Sequence, residues 1–271
     1  AQPRLFGLDC EMVGVKDGVS ALARVSVVEL GADGTARSVL DEYVQPPGGA
    51  DAVVDYRTAV SGIERSHIED ATLSLEDARA RVVEQVRASD YIAGHSLESD
   101  LKALQLWHSN VVDTAALFEV AGFPKWTLSL NDVVSHMFPQ EAKDAAPGDQ
   151  GGANAFRAGG AHTQHDSVED AEWAARLVQR LASGRGEGMS DAEYAAAVRK
   201  ATFLQGLPAH YGRRLTVMNL PEAATEASVR TMFGTHAEDI VAFRAIKWTA
   251  SERKGRGRGG RGGEGDRNGA Q

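Results

Sequence analysis

Four carboxylates and one histidine in this chain have the types and spacing to hydrolyse a phosphodiester. Asp9 and Glu11 stand two apart in RLFGLDCEMVG, so on a strand both side chains leave the same face. Asp100 lies in GHSLESDLKAL (residues 94–104), where a strand end enters a helix. HDSVEDA (residues 165–171) sets His165 just before a helix and Asp170 in its first turns. Asp9, Glu11, Asp100 and Asp170 offer the hard oxygen ligands that Mg²⁺ or Mn²⁺ prefers. Two such cations stabilise the attacking and the leaving oxygen of an in-line displacement. His165, with a pKa near neutrality, suits the general base that takes a proton from water.

Blander roles exist for each residue alone. A single acid on a helix is usually solvated, His165 can be a surface residue, and Asp166 is a natural helix N-cap. The acid pair is harder to dismiss. Asp9 and Glu11 interrupt an apolar strand, where two buried charges cost several kcal/mol each without a partner. A cation supplies one.

The elements that must position these groups follow from periodicity. Residues 4–14 read as a buried strand, and 21–44 as two strands joined by a hairpin at Asp33-Gly34. Residues 73–88 carry helical spacing behind the N-cap candidate Ser74. Tyr91–Gly94 and Val111-Val112 are short strands, with helices expected over 97–107, 127–137 and 167–182 and a further short one over 190–204. Antiparallel strands followed by alternating strands and helices predict an α/β fold, a mixed sheet flanked by helices. Residues 140–164 are Gly/Ala-rich without periodicity and read as a mobile insertion.

At 271 residues the chain can hold one large globular domain or two modest ones. The single cysteine, Cys10, excludes an intramolecular disulfide and every multi-cysteine zinc motif. No apolar run reaches the roughly 18 residues of a membrane helix, so no membrane partner is expected. The chain opens on Ala1 rather than Met, and its sequence alone fixes no compartment. The net charge of −9 is unfavourable for a polyanion ligand, but residues 252–271 carry six basic against three acidic side chains. Clustered carboxylates neutralised by divalent cations would reconcile the acidic remainder with a phosphate substrate.

LDCEMVG, DYRTAVSGI (residues 55–63), GHSLESDLKAL, VVDTAALF (residues 111–118) and HDSVEDA resemble, in order, the motifs of the DEDDh 3′→5′ exonucleases. The nearest branch is that of the RNA exonucleases related to yeast Rex proteins and the interferon-stimulated 20 kDa exonuclease. The resemblance covers residues 4–182. It implies a ribonuclease H-like fold, two divalent cations and release of nucleoside 5′-monophosphates from single-stranded RNA 3′-ends. It also implies Asp9, Glu11, Asp100 and Asp170 as metal ligands, His165 as the base, and a nuclear or nucleolar location, with a cytoplasmic one as the alternative. Asp166 stands where the tyrosine variant of the superfamily would have Tyr. Met12, Arg57 and Leu97 fall where the family contacts the terminal nucleotide. Each has an alternative: core packing for Met12, a surface ion pair for Arg57, and the apolar face of the helix for Leu97. His95 and Ser96 are expected to fix the turn before the Asp100 helix. In the family a short connection precedes the histidine, whereas here the insertion does.

The domain reading is an exonuclease domain over 1–183, a linker with a short helix over 184–213, a partial RNA-recognition-like β-α-β element over 214–250, and an Arg/Gly tail over 251–271. Residues 215–220 lack the aromatic side chain on which such an element stacks bases. The tail is the better candidate for RNA contact, because glycine-spaced arginines bind phosphates while disordered; its alternative is a solubilising linker. Two other functions are open from sequence: a DNA-directed exonuclease of the same superfamily, and a catalytically silent RNA-binding scaffold. Oligomeric state is not legible.

Overall fold

A computed structural model describes residues 2–122, 126–139 and 166–205. Strand β1 (Leu5–Val15) carries the acid pair. It runs antiparallel to β2 (Ser20–Leu30), which returns antiparallel to β3 (Ala36–Tyr43). The β2–β3 turn is the expected one: Gly34 adopts φ 84° and Asp33 accepts the Thr35 N–H at 3.0 Å. After β4 (Val53–Asp55) come two short helices, α1 (Thr58–Ser61) and α2 (Arg65–Asp70). Helix α3 (Leu75–Gln85) begins at Ser74, whose hydroxyl accepts from the Asp77 N–H in a reciprocal capping box.

Strand β5 (Tyr91–Gly94) leads into α4 (Glu98–Ala103), then β6 (Val111–Asp113), α5 (Thr114–Leu117) and β7 (Glu119–Val120). Next come α6 (Leu130–Met137), α7 (Ser167–Ser183), α8 (Asp191–Thr202) and β8 (Phe203–Leu204). Helix α4 stops short of the span expected from periodicity. Gln105 takes φ 50°, and the Gln105 and Leu106 N–H groups turn back to the Lys102 and Leu101 carbonyls at 3.0 and 2.9 Å. That is a Schellman ending built on a non-glycine residue.

The sheet order is β3-β2-β1-β5-β6, with β4 also paired to β1. β1, β5 and β6 run parallel, so the sheet is mixed, as the order of elements predicts. β1 is buried on both faces, which explains its nearly continuous apolar character. One face packs Phe6, Leu8, Cys10, Val25, Val27 and Ile92 against α3 and α4. The other receives α7, where Ala175 packs with Leu30 and Ala93. A separate core gathers Phe118, Val133, Trp173, Leu177 and Leu204. There the parallel β7–β8 pair closes the body with its last described strand.

A boundary between compact units falls after Arg213. The insertion over 140–164, the β-α-β element and the Arg/Gly tail lie outside the described residues, as does His165. No described helix is long and apolar enough to cross a membrane.

Candidate active site

β1 meets β5 only over Leu5–Gly7 and meets β4 only from Gly14 onward. Between these pairings β1 runs past the carboxyl end of β5, which is where ligands gather in open α/β sheets. Asp9 and Glu11 sit on this stretch, opposite Ser26 and Arg24 of β2. The β1–β2 register shifts between Glu11 and Met12, a bulge of the kind that re-aims side chains beside active sites.

Asp100 arrives from α4. It is buried, 4% exposed, and its Oδ1 accepts the Cys10 backbone N–H at 3.0 Å. α4 is therefore hydrogen-bonded to the strand between the two acids. α7 brings Asp170 from the opposite face. Its first residue, Ser167, is fully buried and donates its hydroxyl to the Asp9 carbonyl at 3.1 Å. Asp166 caps the helix by accepting the Val168 and Glu169 N–H groups at 2.9 and 3.3 Å. Arg24 sits 3.9 Å from Asp166 and holds Asp41 through two bonds of 2.7 and 2.9 Å.

The electrostatics are those of crowded anions. Burial, then the charges of Asp100, Asp170 and Glu11, drive the Asp9 carboxyl well above its ordinary range, while the Ser167 hydroxyl acts the other way. Burial likewise pushes Asp100 up to about 7, against its bond from Cys10 and with help from Asp113. The Cys10 thiol is raised by burial and by the same carboxylates. Anions forced together in a low-dielectric site create strong demand for a cation. The donor set is all oxygen and fits a hard divalent ion. Among the described residues no three such side chains already stand at ligand spacing, so the acids converge on Asp9 without closing around a centre.

The softer positions fall as follows. Met12 is half-buried against the main core. Leu97 is 1% exposed and belongs to that core. Arg57 adopts φ 51°, donates to the Ser20 hydroxyl at 2.9 Å and lies 4.0 Å from Asp55. It borders β1 near Gly14. The His95 ring is fixed between the Thr114 hydroxyl and the Leu128 carbonyl at 2.9 and 3.0 Å, and burial lowers its pKa.

No family model matches the chain. Known proteins do. The putative exonuclease GOR of Homo sapiens is 35% identical over 179 residues, covering 66% of this chain and 23% of its own. The small RNA degrading nuclease 3 of Arabidopsis thaliana is 35% identical over 141 residues, 52% of this chain and 17% of its own. RNA exonuclease 1 homolog of Homo sapiens is 36% identical over 147 residues, 54% of this chain and 11% of its own. The chain is thus similar, over about half to two thirds of its length, to proteins named as exonucleases and RNA exonucleases.

It spans between a tenth and a quarter of the length of these exonuclease relatives. Solved structures share the fold. The catalytic unit of Neurospora crassa Pan2 aligns over 74% of this chain and 30% of its own, with TM-score 0.53 and 19% identity. A Saccharomyces cerevisiae Pan2 module in complex with AAGGAA RNA aligns over 73% and 31%, with TM-score 0.50 and 20% identity. These likenesses establish the ribonuclease H-like fold, a mixed sheet flanked by helices, for the described body. Residues that sequence reading gave no role to, Ser167, Arg24, Asp113 and Thr114, hold this acidic site together. The only hint of Asp113 and Thr114 was their place in VVDTAALF.

Proposed function

We propose that this protein is a 3′→5′ exoribonuclease that removes nucleotides from single-stranded RNA 3′-ends and releases nucleoside 5′-monophosphates. The observation that carries this reading is the convergence of Asp100 and Asp170 on the Asp9–Glu11 strand, where burial holds both Asp9 and Asp100 above their ordinary range and the neighbouring acids raise Asp9 further. Relatives named as RNA exonucleases and the RNA-bound Pan2 neighbours support RNA over DNA.

In this reading Asp9, Glu11, Asp100 and Asp170 hold two divalent cations, Mg²⁺ or Mn²⁺, in the DEDDh manner. Bound there, the cations would supply charge stabilisation to the attacking and leaving oxygens. The chain's own groups do the rest. His165, next in sequence to the cap of α7, takes the proton from the attacking water. Met12 on the acid strand and Arg57 beside it contact the terminal nucleotide. Leu97 supports that pocket from the core. Glycine-spaced arginines after residue 252 raise local RNA concentration through phosphate contacts. A nuclear or nucleolar location accompanies this reading and is checked by imaging the tagged protein.

The test uses 5′-labelled RNA and DNA strands of equal sequence, incubated in Mn²⁺ with the wild-type protein or Asp9→Ala. A one-nucleotide ladder on RNA, faint on DNA and absent with the variant, is expected. Equal ladders on both strands would transfer the assignment to a DNA-capable exonuclease. Intact strands in every lane, with RNA still retarded on a native gel, would replace the enzyme by a scaffold.

A further inference from the structure

We propose that Asp113, aided by Thr114, is the positioning residue that sets the Asp100 helix in register with the acid strand. The inference rests on the nuclease reading, because Asp100 matters only if its site is catalytic.

The turn between β5 and α4, residues 94–97, has to deliver Asp100 to β1. Apart from His95 Nε2, which faces the Leu128 carbonyl at 3.0 Å, its side-chain-held polar groups are gripped from one place, the β6–α5 junction. The Thr114 hydroxyl lies 2.9 Å from the Gly94 carbonyl, which it can serve as donor, and 2.9 Å from His95 Nδ1. The Asp113 carboxylate accepts the Ser96 N–H at 2.8 Å and the Leu97 N–H at 3.0 Å, one on each oxygen. Its Oδ1 also accepts the Ala115 N–H at 2.9 Å and so caps α5.

Ser96 needs this grip. It adopts φ 63°, a left-handed conformation that non-glycine residues take only when their surroundings impose it. Two adjacent N–H groups aimed at one carboxylate impose it through charge-assisted bonds. Leu97 follows directly, and its carbonyl accepts the first helical bond of α4, from Leu101 at 3.0 Å. Asp100 lies within that turn and bonds to Cys10. Displacing Ser96 and Leu97 therefore displaces Asp100. β5 and β6 fix the base of this device, because Gly94 and Asp113 are register partners at the parallel strand ends. With three backbone N–H groups on its two oxygens, Asp113 acts through the turn and not as a ligand.

Asp113→Asn separates this role from simple capping. Asparagine still caps α5, but one of its terminal atoms is an NH₂ donor, so it cannot accept both turn N–H groups. The readouts are kcat and KM on single-stranded RNA, the Mn²⁺ midpoint, the thermal midpoint, and deuterium uptake by the peptide spanning residues 94–101. Asp113→Asn is expected to lower kcat by about 10–100-fold, as small misplacements of reacting groups do, with KM changed less than about twofold. The Mn²⁺ midpoint should rise and deuterium uptake increase. Ser96→Gly in the same chain should recover about tenfold, because glycine adopts the left-handed turn without the carboxylate.

Unchanged deuterium uptake and kcat in Asp113→Asn overturn the inference. So does a loss of activity that follows only the thermal midpoint and is indifferent to Ser96→Gly. If the wild-type protein cleaves no RNA, the nuclease reading fails by itself, and deuterium uptake still decides whether Asp113 orders the turn.

Discussion

Gly7 of β1 and Ala171 of α7 are in backbone contact: a β-carbon built on Gly7 would lie 1.8 Å from the Ala171 carbonyl oxygen. The pair stands two residues before Asp9 and one after Asp170. Helix and strand approach this closely only because position 7 has no side chain and position 171 a small one. The separation of two acids from distant parts of the sequence is thus set by a hydrogen atom where every other residue has a carbon.

Gly7→Ala should push α7 off the sheet. Overpacking against rigid backbone costs about 1–3 kcal/mol, read as a lower urea midpoint. Because the helix also carries Ser167, activity should fall further than stability under conditions where the variant remains folded. Wild-type stability and activity together would show that the helix relaxes freely, contrary to this account.

Asp9→Asn should abolish nucleotide release and stabilise the cation-free protein by about 1–2 kcal/mol at pH 8, the trade expected of a strained active site. The Asp9 carboxyl is raised in the folded state by burial and then by its three acidic neighbours. Its unfavourable contribution is therefore absent below the unfolded carboxylate range, near about pH 4, grows as pH rises from there toward the folded value, and is complete above it. Thermal unfolding of both proteins in EDTA across that range checks the sign. A variant less stable than wild type at pH 8 would contradict it.

Asp90 behaves in the opposite way. Burial pushes its carboxyl up, but backbone N–H groups of Arg4 and Arg87 and both guanidinium groups outweigh that and hold it down at about 2. Fully buried, it accepts from Arg4 at 2.8–3.2 Å and from Arg87 at 3.0 and 3.3 Å. Its contribution is complete above the unfolded carboxylate value and disappears as pH falls toward the folded one. Asp90→Asn should cost about 3 kcal/mol at neutral pH, as when one partner of a buried ion pair is removed. Denaturation curves at pH 7 and in strong acid should converge for the two proteins.

Leu204, 6% exposed in β8, ties the end of the described body to the Phe118–Trp173 core. Leu204→Ala should destabilise by about 3 kcal/mol, as core truncations of this size do. Calorimetry that finds the body unaffected would mean β8 is dispensable.

The central strand, the hairpin, the α3 cap and the long α7 helix were legible because each announces itself locally: apolar continuity, Asp33-Gly34, Ser74 with Asp77, and alanines at helical spacing. The acid strand was legible because charge inside an apolar run is costly. The end of α4 was not, since Gln105 supplies a left-handed residue where sequence signals favour glycine. Nor was the two-residue strand β8, too short to show a period and defined by its partner Glu119–Val120. Asp113 looked like one more acid, because its importance lies in a turn 16–17 positions away.

The bond from Cys10 N–H to Asp100 has an evolutionary consequence. It occupies a donor on the flank of β1 where, among the described residues, neither β4 nor β5 extends. One carboxylate therefore both serves the site and completes the sheet. A descendant without the proposed RNA cleavage would be free to lose Asp9, Glu11 and Asp170, yet loss of the acceptor at position 100 would strand a buried peptide donor. On the proposed nuclease reading, decay into a non-enzyme should leave the third acid behind as a fossil.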